Sequence, residues 1–146
     1  KRLELLASNS ECNIYRDFAH APSKVIATIE AVKQQFPARK LIGVLELHTY
    51  SSLNKEFMHQ YKGALEKTDI AVVFYSKHAL QIKGLPELPE SYVVEGFDKK
   101  GLLVMTDKNA LEQWLQAQDY SNTNLVLMSS GNYDGIDLPS FAPTLI

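Results

Sequence analysis

The chain lacks the features that would commit it to several large classes of protein. Among 146 residues it has one cysteine, Cys12, which can close no internal disulfide and has none of the paired spacing of a zinc site. A reducing, cytoplasmic setting is expected. No apolar run exceeds Ile70 to Tyr75, far short of the ~20 residues of a membrane helix, and no basic-then-apolar leader opens the chain. Neither sign of charge dominates, with 15 Lys plus Arg against 17 Asp plus Glu and a formal net charge of -2. That balance disfavours a grip on polyphosphate backbone, so neither nucleic acid nor membrane is an expected partner. Catalytic signatures are missing too: no G-x-x-x-x-G-K-[ST] phosphate loop, no G-x-G-x-x-G after a strand and no G-x-S-x-G elbow. His20, His48, His59 and His78 are scattered, and no metal site is expected. The chain by itself shows no complete catalytic machine.

What is present is the composition of one globular domain, 45% apolar and 22% charged, with enough apolar side chains for a core. The hydrophobic period switches repeatedly between strand-like and helix-like runs. Leu3 to Ala7 and Ile14 to Phe18 flank Ser8-Asn9-Ser10, the pattern of an opening hairpin. Ser23 to Phe36 places Val25, Ile29, Val32 and Phe36 at helical spacing, with Ser23 as cap and Pro37 as stop. Leu41 to Leu47 reads as a strand covered on both faces. Leu53, Phe57, Tyr61 and Leu65 recur every four residues, which predicts a second amphipathic helix over 53–67 capped by Ser51 or Ser52. Ile70 to Tyr75 is a buried strand. Ser76 to Pro89, with Gly84 and two prolines, reads as an irregular connection with room for one helical turn, and Tyr92 to Glu95 as a short strand. Thr106 or Asp107 caps a helix through Gln118 that buries Leu111, Trp114 and Leu115, Leu125 to Met128 is a further strand, and the tail from Pro139 has no period. Strands alternating with helices of this length predict an α/β, Rossmann-like three-layer domain, a mostly parallel sheet with helices on both faces and a hairpin at its start.

In such sheets ligands bind beyond the carboxyl ends of the strands, which directs attention to three polar segments. The first is Asp17-Phe18-Ala19-His20-Ala21-Pro22. An Asp can accept hydrogen bonds from ribose hydroxyls and a neutral imidazole can stack on or bond to a base, although the same pair can equally serve a turn before a helix. The second, Glu46-Leu47-His48-Thr49-Tyr50-Ser51-Ser52, stands before the predicted second helix, whose free N–H groups would favour an anion, although Ser and Thr are also ordinary caps. The third, Ser129-Ser130-Gly131-Asn132-Tyr133-Asp134-Gly135, has small residues that allow close backbone approach.

Lys1-Arg2-Leu3-Glu4, the segment around Asp17 and His20, the helix after it and Glu46 to Ser51 together resemble the C-terminal domain of the Mur ligases, over most of the chain. The similarity is to the branch that adds L-alanine, or the tripeptide L-alanyl-γ-D-glutamyl-meso-diaminopimelate, to UDP-N-acetylmuramate. There the first segment reads D-D-[YF]-[AG]-H-H-P. Arg16 replaces its first Asp and Ala21 its second His, and Asp17 and His20 match. The resemblance implies a three-domain ligase in which this chain closes over a site built by a UDP-sugar-binding N-terminal domain and a central ATPase, neither present here. The missing phosphate loop and the non-methionine start at Lys1 accord with that expectation. It further implies ATP with Mg2+, an acyl phosphate and attack by an incoming amine. Carried over by position, Arg2, Asp17 and His20 would face the nucleotide, and His48, Thr49, Tyr50, Ser51, Ser129, Ser130 and Gly131 the amine substrate. In the alanine-adding branch the second segment reads Q-P-H-R-[YF]-[ST]-R. Thr49 and Ser52 here occupy its arginine positions, which removes a bidentate carboxylate grip. A reading of another class is a stand-alone Rossmann-like binding or interaction module. The sequence encoded upstream of Lys1 separates the two, since only the ligase requires a phosphate loop there.

Overall fold

The computed structural model describes residues 3–146. The opening hairpin is β1 (Glu4–Ser8) and β2 (Asn13–Asp17), paired antiparallel. Then follow α1 (Pro22–Gln35), β3 (Lys40–Glu46), a 3-10 segment (Lys55–Tyr61), β4 (Ile70–Phe74), α2 (Lys77–Ile82), α3 (Glu90–Phe97), β5 (Leu103–Met105), α4 (Lys108–Gln116), β6 (Thr123–Met128), α5 (Leu138–Phe141) and a last 3-10 turn (Ala142–Leu145). The sheet runs β1-β2-β6-β3-β4-β5, with every pair after the hairpin parallel. This is the expected Rossmann-like α/β fold.

Side chains alternate between two cores, as the period of a strand requires. Leu41, Leu45, Ala71, Val73, Val126 and Met128 pack with α1, the 3-10 segment and α3. Ile42, Val44, Val72, Phe74, Leu125 and Leu127 pack with α4 and α5 on the other side. The handedness of crossovers explains the division. From β2 to β5 the chain steps along the sheet in one direction, so every connection falls on one face. From β5 to β6 it steps back, and α4 falls on the other. β6 thus slots between β2 and β3, and the connections leaving β6 and its neighbours diverge, which opens crevices at the carboxyl rim.

Several local expectations are corrected. Ser23 does not cap α1: Ala21 is the N-cap without a side-chain bond, and Pro22 takes the first helical position, where its fixed φ and missing N–H cost nothing. The segment over 53–67 is not one α-helix. Its 3-10 portion is capped by Asn54, not Ser51 or Ser52, and Gly63 turns the chain at φ +80, although Leu53, Tyr61 and Leu65 are buried as their spacing required. Tyr92 to Glu95 is not a strand but lies within α3, which starts after Pro89, buries Val93, Gly96 and Phe97 on one face and ends at left-handed Asp98. The edge strand β5 had no signal of its own. Asp107 caps α4 by accepting the Ala110 N–H. Among the described residues no helix is long and apolar enough to cross a membrane.

Candidate functional site

All three polar segments leave the same rim of the sheet and touch. The Ser129 N–H donates to the Asp17 carbonyl at 3.0 Å, which joins the first segment to the third. A Cβ built on Gly131 would lie 2.8 Å from the His48 ring, so the third segment lies against the second. At the junction sits Glu46, 2% exposed. Its Oε1 accepts from Ser129 Oγ at 2.5 Å and from the Tyr133 N–H at 2.9 Å, while Ser129 Oγ accepts from the Gly131 N–H at 2.7 Å. Burial raises the Glu46 carboxyl above its ordinary range; the Ser129 and Tyr133 hydrogen bonds and then His48 oppose that rise, while Asp134 adds to it. Tyr133 lies beneath, fully buried, its single hydroxyl proton shared between the Val44 and Met128 carbonyls at 2.9 and 2.8 Å.

On the β2 side, Asp17 Oδ2 accepts from the Ala19 N–H at 2.9 Å and from Thr28 Oγ1 at 3.0 Å, so one oxygen holds the turn into α1. No hydrogen bond from a described residue reaches Oδ1. His20 Nδ1 lies 3.0 Å from the Phe18 carbonyl; a carbonyl only accepts, so Nδ1 carries the proton and Nε2 of the neutral ring is left to accept. Tyr61 Oη donates to the His20 carbonyl at 2.6 Å and pins this loop to the 3-10 segment. Phe18 is half exposed and edge-on to His20 at 5.6 Å between centroids. Asp17, Phe18, His20 and Lys24 line a cavity of about 710 Å3; Asp17, Phe18, Ser129 and Gly131 line a neighbouring one of about 680 Å3. Arg2 lies outside the described residues.

On the β3 side the residues divide by what already occupies them. Thr49 Oγ1 accepts the Ser52 N–H and bonds to Ser52 Oγ, closing a local turn. Ser51 is exposed. Tyr50 is 62% exposed, with Lys83 Nζ 4.9 Å from its ring centroid. His48 Nδ1 and Ser130 Oγ are buried without hydrogen-bond partners among the described residues. A cavity of about 170 Å3 here is lined by Glu46, His48, Ser76, His78, Lys83 and Asp134, among others. The sequence names Glu46 only as the start of the second polar segment, not as the centre of the rim, and does not point to Lys83, which lines the same small cavity. A signal existed for the first: a carboxylate at the end of an otherwise apolar buried strand needs a compensating partner. None existed for Lys83, which approaches only through the placement of α2. Among the described residues no group of three or more His, Cys, Asp and Glu could hold a metal ion.

The close approach at Gly131 has a direct consequence. Gly131→Ala should push the His48 imidazole aside at a cost of about 1–2 kcal/mol, read as displaced His48 ring resonances with a modestly lowered melting temperature. Unmoved resonances would contradict the packing described.

The curated UDP-N-acetylmuramate–L-alanine ligase of Lactobacillus delbrueckii subsp. bulgaricus is 46% identical over 55 residues, 38% of this chain and 12% of that protein's length. Two solved structures share the fold over nearly the whole chain. One is a domain described as part of a UDP-N-acetylmuramate:L-alanyl-γ-D-glutamyl-meso-diaminopimelate ligase from Haemophilus ducreyi, with TM-score 0.71, 21% identity and coverage of 99% of this chain and 100% of that one. The other is a murein peptide ligase from Psychrobacter arcticus, with TM-score 0.73, 15% identity and coverage of 98% of this chain and 30% of that one. A MurF ligase from Thermotoga maritima solved with ADP is also similar, with TM-score 0.53, 19% identity and coverage of 85% and 26%. The chain thus spans under a third of the two ligases just named and matches an eighth of the curated relative. The family described as Mur ligase, glutamate ligase domain, matches residues 1–131, and the chain belongs to it.

Proposed function

We propose that this chain is the C-terminal domain of an ATP-dependent amide ligase of peptidoglycan precursor synthesis or recycling, which joins L-alanine or a peptide to UDP-N-acetylmuramate. The observation that carries the reading is the convergence of the three post-strand segments on one rim around Glu46. Such a rim can present a nucleotide-facing side and an amine-facing side to one reacting centre while water is excluded. The N-terminal UDP-sugar-binding and central ATPase domains would supply the remaining walls, and the chain would act when closed against them.

The β2 side fits a nucleoside. Phe18 offers a half-exposed ring face, His20 Nε2 and Asp17 Oδ1 offer acceptors without internal partners, and Lys24 borders the same cavity. Arg2 belongs to this side by its position in the family's motif. ATP, when bound, supplies the phosphoryl group that activates the carboxylate as an acyl phosphate, and Mg2+ accompanies its phosphates. The chain's own part is to orient the nucleoside through Asp17, His20 and Phe18. On the other side His48, Thr49, Tyr50, Ser51, Ser129, Ser130 and Gly131 would shape the space for the amine, Thr49 and Ser129 by holding backbone.

Asp17→Asn tests the nucleotide side with little structural loss, because the amide oxygen can still accept from Ala19 and Thr28 while the second acceptor oxygen and the charge are lost. Titration calorimetry of nucleotide into the complete ligase should show affinity weakened roughly tenfold, as for a charged hydrogen bond. Unchanged affinity and turnover would remove Asp17 from the site.

A further inference from the structure

The small cavity between the loops after β3, β4 and β6 holds hydrogen-bonding capacity that the chain itself does not use. Both bonds to Glu46 end on Oε1. Among the described residues Oε2 receives none, and its neighbour His48 Nδ1 stands at 3.8 Å, beyond hydrogen-bond reach. That ring nitrogen is itself buried and unpartnered. A carboxyl oxygen and a ring nitrogen left so at the wall of a cavity are costly unless polar partners arrive from outside. Lys83 supplies the opposite charge. Its ammonium lies over the Tyr50 ring and makes no ion pair among the described residues. The cavity therefore has the carboxyl groups of Glu46 and Asp134 in its wall and, on its border, a cation without an ion-pair partner among the described residues. Its volume of about 170 Å3 is about a quarter of the 710 Å3 cavity on the β2 side, a space for a small polar group and not for a nucleoside.

We propose that Lys83, the residue that ends α2, grips the carboxylate of the incoming amine in place of the arginines missing at Thr49 and Ser52, while Glu46 Oε2 receives its ammonium group. The inference rests on the ligase reading and deepens it. The ligand class is a free α-amino acid, whose ammonium and carboxylate stand on one carbon; the reacting alanyl residue of the tripeptide has its carboxyl in a peptide bond. An ammonium at Oε2 also offsets the cost of ionising Glu46 in its buried position. The planar fork of an arginine is replaced by a point charge on a mobile stem, which relaxes the geometry demanded of the carboxylate.

The test is steady-state phosphate release by the complete ligase, with L-alanine and with L-alanyl-γ-D-glutamyl-meso-diaminopimelate as separate arms. Lys83→Met should raise the KM of the accepted amine on the order of 10- to 100-fold, move the KM of ATP less than twofold and leave the melting temperature in place. Lys83→Arg should recover most of the loss. Glu46→Gln, which keeps an oxygen for Ser129 and Tyr133, should also raise the amine KM. L-Alaninamide, which has no carboxylate, should show no dependence on residue 83 in the alanine arm. An effect of Lys83→Met in the alanine arm supports the inference, and an effect confined to the tripeptide arm overturns it. An amine KM within twofold of wild type in Lys83→Met, with wild type active, overturns the inference and leaves the ligase reading standing. A wild-type enzyme inactive in both arms overturns both.

Discussion

Replacing Glu46 with alanine should destabilise the domain by about 3–5 kcal/mol, while replacing it with glutamine should cost little. The alanine removes the shared acceptor of Ser129 Oγ and the Tyr133 N–H. Each buried donor left unpaired costs ~1–3 kcal/mol, and the vacated space adds a cavity term. Because Ser129 Oγ in turn accepts the Gly131 N–H, the loop facing His48 should loosen with it. Glutamine keeps an oxygen in the same place. Denaturant unfolding of both variants reads the difference, and equal stabilities would show that the Glu46 network does not hold the rim.

Wild type and Glu46→Gln should differ in their response to pH. Burial raises the folded Glu46 carboxyl above 4.5, so the folded state holds this proton more tightly than the unfolded chain does. Its contribution to stability is fully present below about 4.5 and is lost as pH rises through the raised folded value. Relative to Glu46→Gln, which does not titrate, wild type should lose stability upward from about pH 4.5 and level off once the buried group has ionised. Parallel curves across that range would contradict the assignment.

Gly96→Ala should be the most damaging single methyl in the described structure. A Cβ there would stand 2.6 Å from the Met58 carbonyl oxygen and 2.7 Å from its Cβ, and backbone cannot swing aside as a side-chain tip can. In an unconstrained helix the change would gain ~1 kcal/mol from propensity. Here α3 must retreat from the 3-10 segment, parting Tyr61 from Phe97, whose rings stack at 4.7 Å, and loosening Val93 and Met58 in the core. A net loss of about 3 kcal/mol is expected, or a fall of ~6–12 °C in melting temperature for a domain of this size. A variant as stable as wild type would mean that the two elements are not in the contact described. Since Tyr61 also holds the His20 carbonyl, the variant should weaken the β2 loop as well.

The layered architecture was legible in the chain because it is written locally. The apolar runs of β3, β4 and β6 and the four-residue spacings of α1 and α4 declare their elements whatever surrounds them. Where local signals conflicted, tertiary contact decided. Tyr92-Val93-Val94 has the composition of a strand, yet Pro89 starts a helix and Gly96 lets it lie against Met58. Three residues of β5 are too few to show a period; only pairing with β4 makes them a strand. The 3-10 segment keeps the buried face its spacing promised but not the helix, because Gly63 turns the chain where an α-helix would have run on.

The candidate site divides the same way. Asp17, His20, His48 and Ser129 were legible as polar residues at the ends of apolar runs, where parallel sheets keep their ligands. That they lie together follows from β6 entering between β2 and β3, a choice of order that no local pattern encodes. It brings Ser129 to Glu46 across 83 positions of sequence. It also decides which polar groups are consumed by the fold, as Thr49 and Ser129 are, and which keep free capacity, as Glu46 Oε2 and Lys83 do. The sequence alone determined which chemistry stands at each strand end, because propensity and period act between neighbours in the chain. Which of those groups face one another, and with what charge, the tertiary structure decided, because crossover handedness and strand order act between segments that the chain keeps far apart.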